Sequence, residues 1–228
     1  MARPFLWANF FMNSNAYKRE VAVAAAAEVP EGITLGVGSG STVDAFIDAL
    51  AERRIRLTAT VAASETTARR LREHGFEVID LNQADEIPLY VDGADEIDPK
   101  LHLTKGGGAA LTREKIIASA SRRFLCIADD SKLVDRLGHF PLPIEVIPMA
   151  RSVVARQLVK RGGRPAWREN VVTDNGNLIL DVSGLKIDDP IAWEKDLNNI
   201  PGIVTVGLFA LRRADHVLLA GPKGLRRL

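Results

Sequence analysis

The segment YVDGADEIDPKLHLTKGGGAALTREK, residues 90–115, decides how the rest of the chain is read. It sets Asp92, Asp95, Glu96, Asp98, Lys105 and Glu114, with the run Gly106-Gly107-Gly108, between two apolar stretches. Leu89–Val91 reads as the end of a buried strand. Ala109–Ala120 reads as a helix with Thr112 and Glu114 in its first half. The carboxylates thus emerge where a strand stops, and the glycines lead into a helix N-terminus. In open α/β sheets ligands bind at that edge, and the N–H groups of a helix start favour an anion. The plainer alternative is a polar connection with solvated charges.

Outward from this segment the chain alternates between strand and helix patterns. Ala-rich Asn15–Glu28 reads as a helix ended by Pro30 and Gly32. Ile33–Val37 is a short strand, followed by GVGSGST over Gly36–Thr42 and a helical pattern over Val43–Leu50. The turn lacks the third glycine of a dinucleotide fingerprint, because Ser41 stands there, and it lacks the lysine of a Walker loop. Gly38 and Gly40 allow close backbone approach, and Ser39, Ser41 and Thr42 supply hydroxyls at a helix start. That set suits one phosphate monoester, although a glycine turn with a Ser/Thr cap is also ordinary punctuation. Leu57–Ala62 reads as a strand, Ser64 as the cap of a helix over Thr66–His74, and Val78–Leu81 as a strand. Phe124–Ala128 is a strand that ends in Asp129-Asp130-Ser131-Lys132, again charged at its carboxyl end.

Pro141 and Pro143 mark a change of pattern. Beyond them come strand Glu145–Ile147, helix Ser152–Lys160, strand-like Arg164–Thr173, the hairpin turn Asn175-Gly176, strand Asn177–Val182, helix Pro190–Leu197 and strand Ile203–Leu208. The order β-α-β-β-α-β is a ferredoxin-like unit. His216–Gly221 reads as a last buried strand that rejoins the first sheet.

Composition narrows the function classes. The chain has 228 residues, is 46% hydrophobic and 26% charged, and carries a formal charge of +1. It can bury a full core, and it offers no electrostatic case for nucleic acid or an acidic membrane. Cys126, the single cysteine, sits in an apolar run and reads as core, which fits a reducing cytoplasm. The four histidines lack metal-ligand spacing. Phe5–Met12 is too short, and too differently flanked, for a secretion signal. Taken together, two anion-friendly glycine turns with carboxylates between them predict proton transfer on a phosphorylated small molecule, with no metal and no cofactor. A nucleotide-dependent oxidoreductase would explain the first glycine turn but not the acidic and triple-glycine segments. A non-catalytic sugar-phosphate sensor would keep the phosphate loop without needing Glu114.

GVGSGST, YVDGADEID, KGGGAALTREK, DDSK, PIEVIPMA and TDNGN, in that order, closely resemble ribose-5-phosphate isomerase of the A type, from about Met12 almost to the C-terminus. The resemblance implies an α/β chain with a Rossmann-like open-sheet domain over residues 1–142 plus 208–228 and a ferredoxin-like α+β domain over 143–207. It implies cofactor-free interconversion of ribose 5-phosphate and ribulose 5-phosphate in the pentose phosphate pathway. A homodimer, or a tetramer, acting on a sugar phosphate in the cytoplasm is expected, with no nucleic-acid or membrane partner. Matched to the family's motifs, Glu114 is the base. Asp92 and Asp95 stand near the sugar hydroxyls and ring oxygen, and Lys105 stabilises developing negative charge. Ser39, Gly40, Ser41 and Thr42 form the phosphate loop, with Lys18 nearby. Gly93, Ala94, Gly106, Gly107, Gly108 and Lys132 complete the substrate contacts. Ser39 stands where the family often has threonine. Met1–Phe11 has no counterpart in the resemblance, so a chain begun at Met12 is expected to keep full activity.

Overall fold

The computed structural model describes residues 5–228, with side chains described from Asn15 onward; the expectation for Met1–Phe11 falls outside those side chains. In chain order the elements are α1 (Phe5–Glu28), β1 (Thr34–Val37), α2 (Ser41–Glu52), β2 (Ala59–Ala62), α3 (Glu65–Glu73), β3 (Ile87–Asp92), β4 (Glu96–Ile97) and β5 (Leu103–Thr104). Then follow α4 (Leu111–Ala120), β6 (Ser121–Asp129), β7 (Leu142–Val146), α5 (Arg151–Lys160), β8 (Arg164–Trp167) and β9 (Leu178–Ser183). The chain closes with α6 (Pro190–Asn198), β10 (Ile203–Val206), β11 (Leu208–Phe209), β12 (His216–Ala220) and β13 (Arg226–Arg227).

The larger sheet runs β13-β12-β6-β3-β1-β2, parallel except for the β13 edge. Its central strands are apolar on both faces because helices cover both sides. Along β3, Leu89 and Val91 face the core under α1 and α2, whereas Tyr90 faces the core under α4. Leu125 and Ile127 alternate with Phe124 and Cys126 in the same way on β6. The chain leaves β1 for β2 on one side and returns to β3 on the other. The strand order therefore reverses between β1 and β3, which is where open α/β sheets bind ligands. Val37 pairs with Val91 and Asp92 with Cys126, so the loops after β1, β3 and β6 open at one edge.

The second sheet runs β10-β7-β9-β8 and is antiparallel. Within its β-α-β-β-α-β unit that is the order fourth, first, third, second, the ferredoxin-like arrangement expected. Its own core includes Leu142, Ile144, Val154, Leu158, Leu180 and Leu197. β12 lies beside β6, so the C-terminal segment does rejoin the first sheet.

Three local expectations change. Val78–Leu81 makes only an isolated bridge at Val78, because Asp80 caps a 3₁₀ turn over Leu81–Gln83 through a reciprocal pair with Gln83. Strand β8 stops at Trp167 rather than running to Thr173. The stretch Ile203–Leu208 is divided at Gly207, and β11 joins a three-stranded sheet with β5 and β4. Gly207 donates its N–H to Pro143 O at 2.7 Å and accepts Lys105 N–H at 2.8 Å. A Cβ there would stand 2.3 Å from Lys105 O, so only glycine lets the two segments approach.

Candidate active site

The cleft begins where β1 ends. Gly38 N–H donates to Val91 O at 2.9 Å, which lays the turn against β3. A Cβ on Gly38 would stand 1.9 Å from Asp92 Cγ, so glycine is the only residue that leaves room for that carboxylate. Gly40 follows at φ +96° as the N-cap of α2, with no side chain capping the helix. The first-turn N–H groups are therefore available to a ligand anion. Lys18 reaches this point from α1, and its Nζ donates to Ser41 Oγ at 3.0 Å. A cation, hydroxyls and a helix start thus converge on one spot.

The other end of the cleft is built on buried charge. Asp92 is fully buried. Its Oδ1 accepts Ser39 N–H at 3.0 Å and Gly93 N–H at 2.7 Å. Its Oδ2 accepts the Tyr90 hydroxyl and pairs with Lys105 Nζ at 2.8 Å. Lys105 Nζ also donates to Gly93 O at 2.7 Å and lies 3.2 Å from Glu114 Oε2. Burial opposes the charge on Lys105, but Asp92 and Glu114 outweigh it and raise its pKa. Burial raises the Tyr90 hydroxyl pKa well above its usual value, and the neighbouring Asp92 adds to the effect.

Glu114 projects from the first turn of α4, 3% exposed. Its Oε1 accepts the Ser39 hydroxyl at 2.5 Å, while Oε2 faces the Lys105 ammonium at 3.2 Å. Burial, and then the Asp92 charge, push its pKa up to about 7 against the lowering effect of Lys105. The carboxylate is therefore poised near neutral pH, and it lines the cleft.

Between the two ends lie Asp95 and the triple glycine. Asp95 Oδ2 accepts Gly107 N–H at 2.8 Å, and a Cβ on Gly107 would stand 2.7 Å from Asp95 Oδ1. Lys132 approaches from the 3₁₀ turn that follows β6. The resulting cleft, of about 150 Å³, is lined by Lys18, Ser39, Gly40, Ser41, Thr42, Gly93, Ala94, Asp95, Lys105, Gly106, Gly107, Gly108, Glu114 and Lys132. Of the residues expected at the site, Asp92 alone does not line it. It sits beneath the floor with both oxygens held by protein donors.

The structure adds residues to which the sequence reading gave no role, although all but Arg168 stand within the quoted motifs. Tyr90 reads as an ordinary strand residue, yet its hydroxyl is a partner of Asp92. Buried Glu145 accepts from Thr112, Thr173, Asn175 and Asn177, and so ties the hairpin turn of the smaller sheet to α4. Arg168 reaches the carbonyls of Gly106 and Gly107 from beyond β8.

Comparison with known proteins bears on the whole of this arrangement. Residues 59–224 match the family model described as ribose 5-phosphate isomerase A (phosphoriboisomerase A). A protein of Bordetella bronchiseptica named ribose-5-phosphate isomerase A is 60% identical over 215 residues, covering 92% of this chain and 95% of its own. The crystal structure of ribose 5-phosphate isomerase A from Neisseria gonorrhoeae superposes with a TM-score of 0.93 at 41% identity, covering 94% of this chain and 96% of that one. A D-ribose-5-phosphate isomerase in complex with phospho-erythronic acid gives a TM-score of 0.92 at 38% identity, covering 95% and 99%. With sequence and fold agreeing over nearly the full length, the chain belongs to the ribose 5-phosphate isomerase A family.

Proposed function

We propose that this cleft interconverts D-ribose 5-phosphate and D-ribulose 5-phosphate by proton transfer through an enediolate. The observation that carries the reading is Glu114: a buried carboxylate that lines the cleft, with its pKa pushed up to about 7 and the Lys105 ammonium 3.2 Å away. The phosphate sits on the open N–H groups of α2, with the Ser41 and Thr42 hydroxyls and Lys18 around it. Asp95 and Lys132 hold the sugar hydroxyls, and Asp95 exchanges a proton with the ring oxygen as the ring opens. Glu114 removes the C2 proton of the open-chain aldose, and the C1 carbonyl oxygen takes up negative charge beside Lys105. Glu114 then returns the proton to C1, while the O2 hydroxyl proton passes to O1 as the enediolate collapses. Asp92 works through its neighbours by keeping Lys105 charged and raising the pKa of Glu114.

The decisive test is formation of ribulose 5-phosphate by the purified protein with EDTA present. Turnover unaffected by EDTA is expected, and no turnover would overturn the reading. Thr42→Val tests the phosphate end. Losing a hydrogen bond to a charged group costs roughly 1.5–3 kcal/mol, so KM should rise by about one to two orders of magnitude with kcat little changed. An unchanged KM would remove the loop from the site.

We also read the chain as a homodimeric cytoplasmic enzyme, divided into residues 1–142 plus 208–228 and residues 143–207. The separate cores support the division, and the buried, unpaired Cys126 suits a reducing compartment. Met149, 92% exposed beside the half-exposed Val153, supports association. Sedimentation analysis checks the oligomeric state.

A further inference from the structure

We infer that Arg168, paired with Asp181, is a positioning residue that holds the triple-glycine loop in its working conformation. This inference rests on the isomerase reading above. Arg168 lies just past the end of β8, at the edge of the smaller sheet, and no motif marks it. Its Nε and Nη2 lock onto Asp181 at 2.8 and 2.5 Å. The bidentate pair fixes the plane of the guanidinium. The remaining nitrogen, Nη1, then donates to Gly106 O at 3.2 Å and to Gly107 O at 3.0 Å.

Those two carbonyls belong to the peptide units whose N–H groups are on Gly107 and Gly108. In a trans peptide the N–H points opposite to the C=O, so drawing both carbonyls toward Arg168 turns both N–H groups the other way. Gly107 N–H meets Asp95 Oδ2 at 2.8 Å. Gly108 N–H has no partner among the hydrogen bonds of the described residues, and Gly108 lines the cleft. A Cβ on Gly108 would stand 3.7 Å from Ser39 Oγ, the hydroxyl that holds Glu114. Gly108 thus stands beside the hydroxyl that meets Glu114, with its N–H turned away from Arg168. Gly106 O also accepts Ala109 N–H at 3.0 Å, which closes a turn within the loop; glycine has no side chain to restrict its backbone, and Gly106 is at φ +109°, so the orientation of the turn depends on contacts from outside it. The smaller domain supplies a clamp of that kind through Arg168.

Arg168→Gln, with Arg168→Lys and Asp181→Asn beside it, tests this by kinetics and by amide hydrogen exchange. Misplacement of reacting groups by about 1 Å costs about 10²-fold, so Arg168→Gln should lower kcat about 10- to 100-fold and move KM less than about 3-fold. Arg168→Lys should recover part of kcat, because lysine keeps the charge but cannot serve carboxylate and carbonyls together. The Gly107 amide should exchange at least about 10-fold faster in Arg168→Gln, with β3 and β6 amides unchanged. If Arg168→Gln does not fold, Asp181→Asn frees the guanidinium more gently and should show the same changes, smaller in size. Faster exchange with unaltered kcat, or lowered kcat with unaltered exchange at Gly107, would overturn the inference. An inactive wild-type protein would instead overturn the isomerase reading, and unchanged exchange at Gly107 would then still overturn the clamp.

Discussion

Glu114→Gln is expected to lower kcat by at least about two orders of magnitude while leaving KM close to wild type. General-base contributions are typically about 10²–10⁴-fold, and the substitution keeps shape while removing the proton carrier. A near-normal kcat would take Glu114 out of the role of base, leaving a glutamate that only favours its helix dipole. The pH dependence sharpens the test. Only ionised Glu114 accepts a proton, so wild-type kcat/KM should rise with pH to a plateau above about 7. That limb should be absent from the residual activity of the variant. Stability should behave in the opposite sense. The folded pKa is raised from 4.5 to about 7, so the folded state binds the extra proton in that window. The stabilising effect of this protonation is fully present below about 4.5 and lost as pH rises through about 7. The difference between melting temperatures measured at pH 5 and pH 8 should therefore shrink in Glu114→Gln relative to wild type.

Lys105→Met is expected to damage both fold and rate. Lys105 is 3% exposed and stands between Asp92 and Glu114, 2.8 and 3.2 Å away. Methionine fills much of the same space but leaves two carboxylates facing each other without a cation. Removing one partner of a buried pair costs about 3–5 kcal/mol, which for a chain of this size lowers Tm by roughly 6–20 °C. The loss should be largest at high pH. Lys105 is the charge that lowers the Glu114 pKa, so without it Glu114 should stay protonated to higher pH, and the variant should be relatively more stable in acid. Losing an oxyanion-stabilising donor typically costs about 10²–10³-fold in kcat, so turnover should fall even under conditions where the variant is folded. A variant with wild-type Tm and kcat would show that the ammonium neither balances the two carboxylates nor meets developing charge. Tm across pH, measured beside kcat on the folded fraction, separates the two effects.

Much of this site is legible in the sequence because its parts are local. Gly38, Gly40 and the run Gly106–Gly108 announce turns, Ser41 and Thr42 announce a helix start, and the carboxylates follow a run of strand residues. Ser64 reads as a helix cap and accepts Thr67 N–H in the structure. The N-G turn and the start of helix Pro190–Leu197 mark the order of elements around the smaller sheet in the same way, since each depends on residues a few positions apart. Misreadings fall where a local preference meets a distant partner. Val78–Leu81 has strand composition, but the Asp80–Gln83 pair bends it into a turn. Ile203–Leu208 has continuous strand character, but Gly207 must pass close to Lys105 and Pro143, and the strand divides there.

The sequence by itself determined the alternation of elements and the glycine turns, because backbone preference and hydrophobic period act over one turn or one pleat, and its resemblance to a family supplied the set of residues expected at the sheet edge. Tertiary structure alone decided what those residues can do. Asp92 reads as one more carboxylate beside the sugar, yet β3 carries it beneath the cleft, where Tyr90, Ser39, Gly93 and Lys105 hold it. The Glu114 carboxylate has its pKa pushed up to about 7 only because α4 buries it beside that charge. Arg168 gains its place on the glycine loop from a second sheet whose strands are dozens of residues away in the chain. Burial and Coulomb energy depend on distances across the folded molecule, and residue spacing along the chain does not encode them.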